Sequence, residues 1–327
     1  MGRVWCCLLV LWLSGCVATP EPGVFERVAS AEIARRPSWY TNGSARAFLV
    51  SRDGQPRGLL WGTFHVGYGE DTMLPRPIRD RFDEAADLTV EFTMDRMTAP
   101  DRRAMMQAAR GAMLEPDPAA LAQLDAPTRA ALDDADLPSG SAGRLSLMGL
   151  AYVVRARAMA EPSGSLPQNG FVDLNLMSFA RNPEIPVYAL EAPAVQTAIL
   201  FANPNGAESA TALRHALRLK QQGMLRSMFD WARKAYGLGR VAAALAVLDA
   251  WQADDGDRAM SERRRIPFLA KRNEAWIPVL DEILARPGSH FVAFGAAHLT
   301  GEDGVVALLR RQGWTVTPCA GDVCGAL

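Results

Sequence analysis

The sequence predicts an α/β fold: a mixed central β-sheet flanked by helices, with large all-helical insertions. Three observations predict it. Short apolar runs, each the length of a buried strand, recur at 45–52, 57–61, 88–92, 186–190, 290–294 and 314–317. Stretches with apolar residues at helical spacing alternate with them. Two of the runs lead into the same tetrapeptide pattern, Gly62-Thr63-Phe64-His65 and Gly295-Ala296-Ala297-His298. Each pattern places a histidine at the carboxyl end of a strand, where open α/β sheets bind ligands.

The 327-residue chain is 49% apolar and 22% charged, an ordinary globular balance. Its net charge of −1 carries no basic footprint for nucleic acid. Arg3 followed by the apolar run 4–13 reads as a signal peptide, too short to span a bilayer. Leu13-Ser14-Gly15-Cys16 resembles a bacterial lipobox. That implies a signal over residues 1–15 and a lipid on Cys16. Val17, which is not Asp, favours the periplasmic side of the outer membrane. An ordinary secretory signal with an incidental cysteine is the alternative. Residues 16–42, with Pro20, Pro22, Gly23 and Pro37, read as a tether holding a short helix around 25–34. Residues 43–327 form one domain with helical insertions at about 96–165 and 206–286.

The domain opens with two β-like runs joined by Asp53-Gly54, a hairpin signal. Helical spacing over 77–86 places Ile78, Phe82, Ala85 and Ala86 on one face. Alternation over 88–92 places Leu88, Val90 and Phe92 on one face and Glu91 on the other. The first helical insertion ends in a Pro/Gly/Ser stretch, 161–170. A helix over 171–180, a strand ending at Glu191 and a helix over 192–202 follow. Gly237-Leu238-Gly239 and the acidic stretch 254–257 divide the second insertion. Arg263-Arg264-Arg265 reads as a solvated helix face, and His215, on an arginine-rich helix, as a surface residue. The last unit is a strand, the second Gly-x-x-His, a helix over 303–311 and a strand over 314–317.

Among the cysteines, Cys6 and Cys7 leave with the signal. Cys319 and Cys324 remain in an exported chain and read as a small disulfide loop contributing about 2 kcal/mol. Free thiols are the alternative; a metal pair lacks the C-x-x-C spacing.

His65, Glu91, Glu191 and His298 all fall at predicted strand ends. Two imidazoles and two carboxylates suit a divalent ion such as Zn²⁺ or Mn²⁺. A bound ion lowers the pKa of a water, and a further carboxylate can act as general base. The plainer reading makes each residue a strand cap or surface group; the matched histidine settings weigh against it. His290, at a strand start, reads as structural. No H-E-x-x-H helix, G-x-S-x-G elbow, phosphate loop or G-x-G-x-x-G fingerprint is present.

The runs Leu60-Trp61-Gly62-Thr63-Phe64-His65, Asp87-Leu88-Thr89-Val90-Glu91, Val187-Tyr188-Ala189-Leu190-Glu191, Lys271-Arg272-Asn273 and Phe294-Gly295-Ala296-Ala297-His298-Leu299 resemble the TraB/GumN family, related to the Tiki proteases. Gln196 and Gly313-Trp314 fit the same pattern. The resemblance is more remote to erythromycin esterase and to haem-binding ChaN. It implies an α/β fold and a metalloprotease-like site with Mn²⁺ or Co²⁺ favoured. The implied metal ligands are His65, Glu91 and His298. Glu191, Arg272 and Asn273 match less specific positions, as base or substrate-orienting groups, and Gly62 and Gly295 are the motif glycines. Two functions follow as expectations: a metal-dependent hydrolase acting on a peptide or small molecule, or a lipoprotein that captures haem or a peptide signal without cleaving it.

Overall fold

The computed structural model describes residues 23–64, 74–93, 97–135, 137–159, 176, 185–201, 204–252 and 265–319. Residues 1–22, including Cys16, lie outside that set, as do His65, Cys324 and all of the expected helix over 171–180 except Leu176.

The six strands are β1 (Ala47–Arg52), β2 (Gln55–Thr63), β3 (Asp87–Val90), β4 (Val187–Ala189), β5 (His290–Gly295) and β6 (Thr315–Pro318). They form one sheet in the order β4-β3-β5-β2-β1-β6. β4, β3, β5 and β2 run parallel, whereas β1 pairs antiparallel with both β2 and β6. Asp53 and Gly54, with φ of 53° and 72°, make the tight turn between β1 and β2. Both central residues at positive φ match the twist of a two-residue hairpin.

Alternation sorts strand side chains between two cores. Leu60, Val292 and Phe294 pack with Trp276, Leu280 and Leu284 of α12 (Lys271–Ala285) and with Val305, Val306 and Leu309 of α13 (Val305–Arg311). Leu59, Trp61, Leu88, Val90 and Phe291 pack with Ile78 and Phe82 of α3 (Arg76–Asp83). Leu88 and Val90 share one core, as the predicted alternation requires, and Thr89 between them is buried as well. β3 stops at Val90, so Phe92 is not a strand residue. α3 stops at Asp83, short of the expected 86, because Ala86 already donates its N–H to Ser289 O, 2.7 Å away, on entry to β3.

The remaining helices lie apart from these two cores, and most of them supply a further one. They are α1 (Val24–Arg35), α2 (Pro37–Tyr40), α4 (Ala99–Leu114), α5 (Pro118–Ala122), α6 (Ala126–Asp133), α7 (Leu147–Met159), α8 (Pro193–Leu200), α9 (Ala207–Gln221), α10 (Met224–Gly237) and α11 (Val241–Gln252). Phe25, Leu132, Leu150, Leu213, Met228 and Val247 bring α1, α6, α7, α9, α10 and α11 into it. Thr98, Asp117 and Asp125 cap α4, α5 and α6 by accepting backbone N–H groups. Tyr236 of α10 joins this layer to the sheet by donating its hydroxyl to Gly62 O and stacking on Phe64, centroids 5.3 Å apart.

Two surface expectations are overturned. His215 is buried, because α9 packs against α6, α7, α10 and α11 and keeps little free face. Arg265 is no solvated charge: it donates to Asp303 Oδ1 at 2.6 Å and lies over the ring of Trp39. Cys319 is buried and engaged at the end of β6, its N–H on Ala47 O.

Candidate functional site

The parallel strands end together. Val90 lies opposite Ala189 and Ala293, and Thr63 lies opposite Gly295. Glu91 follows β3 directly and Glu191 follows β4, with the Glu191 N–H still on Glu91 O at 3.0 Å. After β5 the chain takes a single 3₁₀ turn, Ala296–His298, which sets His298 back over the sheet edge. Gly62 permits this: a Cβ there would lie 2.3 Å from Leu299 Cδ1 and 3.0 Å from Ala296 Cα.

Arg272, in the first turn of α12, reaches the same edge and binds everything around it. Nε and Nη2 grip Glu191 as a fork at 3.0 and 2.7 Å. Nη2 also donates to Glu91 Oε2 at 2.7 Å. Nη1 donates to Phe268 O at 3.1 Å and meets His298 Nε2 at 3.0 Å. A guanidinium has five N–H donors, and these five contacts use them all. Phe268 lies in a π-helical turn, Ile266–Ala270, that leads into α12. Such turns recur at functional sites because they redirect backbone groups. Burial opposes the charge of Arg272, but the hydrogen bonds and charges of Glu191 and Glu91 outweigh it and raise its pKa.

The other partners fix orientation. Glu91 Oε1 accepts the Gly295 N–H at 2.6 Å, and Oε2 accepts from Gln196 at 3.0 Å. Trp276 Nε1 donates to Glu191 Oε2 at 3.0 Å, and its ring lies 4.4 Å from that of His298. Asn273 donates its amide to Asp303 O at 2.9 Å, which turns Oδ1 toward His298 Nδ1, 2.6 Å away. That pattern assigns the proton to Nδ1 and the lone pair to Nε2, where the Arg272 Nη1–H meets it.

Five of the sequence-predicted residues therefore converge: Glu91, Glu191, Arg272, Asn273 and His298. Gly62 and Gly295 support them through a close approach and an N–H donor. Trp276 is an addition. Its signal was the four-residue spacing from Arg272 along one helix face, which periodicity alone gives to core packing. The backbone acceptors Phe268 O and Asp303 O have no side-chain signal. His290 lies at the opposite, amino-terminal edge of the sheet, paired with Asp87 Oδ2 at 2.9 Å. The Asp87 hydrogen bond raises its pKa above the usual imidazole value, against the burial that lowers it.

Across most of its length, residues 47–318, the sequence matches the model of the TraB/PrgY/gumN family. The chain belongs to the TraB/PrgY/gumN family. No curated protein and no solved structure matches it. The matched segment spans every strand and every converging residue of this TraB/PrgY/gumN site.

The donor set can be tested against a divalent ion. His298 Nε2 and Glu91 Oε1 are 3.8 Å apart, a span that one ion about 2.1 Å from each ligand can bridge. The directions disagree with that span. The single Nε2 lone pair faces Arg272, Glu91 Oε1 faces Gly295 N–H, and both Glu191 oxygens face Arg272. Among the described residues no group of three or more His, Cys, Asp or Glu side chains is arranged for a metal. As arranged, the described side chains do not fit a divalent ion; they fit a guanidinium.

Proposed function

We propose that this TraB/PrgY/gumN chain is a hydrolase of the cell envelope, tethered through lipid on Cys16, that cleaves a peptide or related carbonyl substrate. The observation that carries the reading is the convergence of Glu91, Glu191, Arg272 and His298 on the carboxyl edge of parallel strands. Glu91 is the least buried of the two carboxylates, its side chain 13% exposed against 6% for Glu191. In the proposed reaction Glu91 takes a proton from a water as that water attacks the substrate carbonyl, then returns it to the leaving group. Asn273 and Arg272 hold His298 in one tautomer beside Glu91. Arg272 places its positive charge against both Glu91 and Glu191. The expected divalent ion enters none of these steps.

The test uses the processed protein, isolated from membranes in detergent and presented with a peptide library. Glu91→Gln and His298→Ala each lower cleavage at least a hundredfold while the protein stays folded. Cleavage unchanged in both variants refutes the hydrolase. Saturable binding of peptide or haem without any cleavage replaces it with the ligand-capture function. Lipid labelling that survives Cys16→Ser refutes the tether.

A further inference from the structure

We infer that Arg272 is the resident cation of this site, and that Arg272 and a divalent ion are mutually exclusive at His298 Nε2. The inference rests on the site proposed above. It concerns what the site binds, whereas the hydrolase reading concerns what it cleaves.

Three observations carry it. Arg272 touches each candidate ligand among the described residues: Glu91, Glu191 and His298, at 2.7 to 3.0 Å. Its five donors are all used, so no N–H remains to hold a substrate group. The position is enforced from outside the cluster, by Phe268 O on Nη1 and by the Trp276 ring 4.8 Å from Cζ. A side chain fixed this way does not swing aside without leaving five acceptors behind. Arg272 is therefore a positioning residue rather than a substrate clamp. It supplies the positive charge that two neighbouring carboxylates require, and it does so with planar N–H geometry that a spherical ion lacks.

The consequence is a competition. An ion that takes the Nε2 lone pair must first expel the Arg272 Nη1–H, and it then sits beside a second positive charge. Removing the guanidinium takes its N–H away from Nε2 and its charge away from both carboxylates, and opens the position to an ion. In Arg272→Met the site changes from arginine-centred to metal-binding.

The experiment is isothermal titration of metal-stripped, processed protein with Mn²⁺, Co²⁺ and Zn²⁺ separately, with thermal unfolding in parallel. Arg272→Met is expected to bind one ion per chain at least tenfold more tightly than wild type. The ion should raise its unfolding temperature, and the double variant Arg272→Met/His298→Ala should lose that gain. Wild type binding an ion as tightly as Arg272→Met overturns the inference. Neither protein binding an ion also overturns it, since no cation position would then exist. Arg272→Gln replaces Arg272→Met should the latter not fold. Cleavage is not measured, so the hydrolase reading and this inference fail separately.

Discussion

Truncating Glu191 probes how the site is held together. Its two oxygens accept three N–H groups: Arg272 Nε at 3.0 Å, Arg272 Nη2 at 2.7 Å and Trp276 Nε1 at 3.0 Å. In Glu191→Ala those donors are left inside a site that water barely reaches. Removing one partner of a buried ion pair costs about 3–5 kcal/mol. Arg272 retains Glu91 and His298, which sets the expectation at the lower bound, about 3 kcal/mol. Trp276→Phe deletes one donor from a carboxylate that keeps two, and should cost only about 1 kcal/mol beyond the change in packing. The double variant should cost less than the sum of the two, because both changes remove the same hydrogen bond. Urea unfolding followed by circular dichroism measures all three at equal slope. A Glu191→Ala protein within about 1 kcal/mol of wild type would refute the account, since no buried charge would then have been left unpaired.

Two further outcomes follow from the packing and the titration of the sheet. Gly62→Ala pushes a methyl into Leu299 and Ala296, and such overpacking costs roughly 1–3 kcal/mol; a melting temperature equal to wild type contradicts the contact. The Asp87–His290 pair raises the folded imidazole pKa. Its stability is thus fully present below the unfolded value of about 6.5 and is lost as pH rises through the folded value. Wild type should lose stability over that window and His290→Phe should not; equal slopes in the two proteins would rule the pair out as the cause.

Legibility differed by element. The Asp53-Gly54 hairpin was readable because only certain residues take positive φ cheaply. The strands at 88–90 and 290–295 were readable from apolar runs bounded by turns, and their ends gave Glu91 and His298. His215 was misread because polarity along one helix says nothing of how many neighbours surround it. Arg265 was misread for the same reason: its partner Asp303 lies on a distant segment. All of the helix expected over 171–180 except Leu176, and the Cys324 end of the expected disulfide loop, fall outside the described residues.

What the sequence determined by itself is local chemistry: strand ends, turn residues, the α/β class and the residue types at the sheet edge. Period and turn propensity are properties of a few neighbouring residues, so they survive without a partner. What only the tertiary structure decided is which charges meet. Parallel register brings Glu91, Glu191 and His298 to one edge, and α12 sets Arg272 among them. Four polar residues in a list suggested a cage for a metal. The three of them that the structure describes, Glu91, Glu191 and His298, are turned by packing across the chain toward the Arg272 guanidinium.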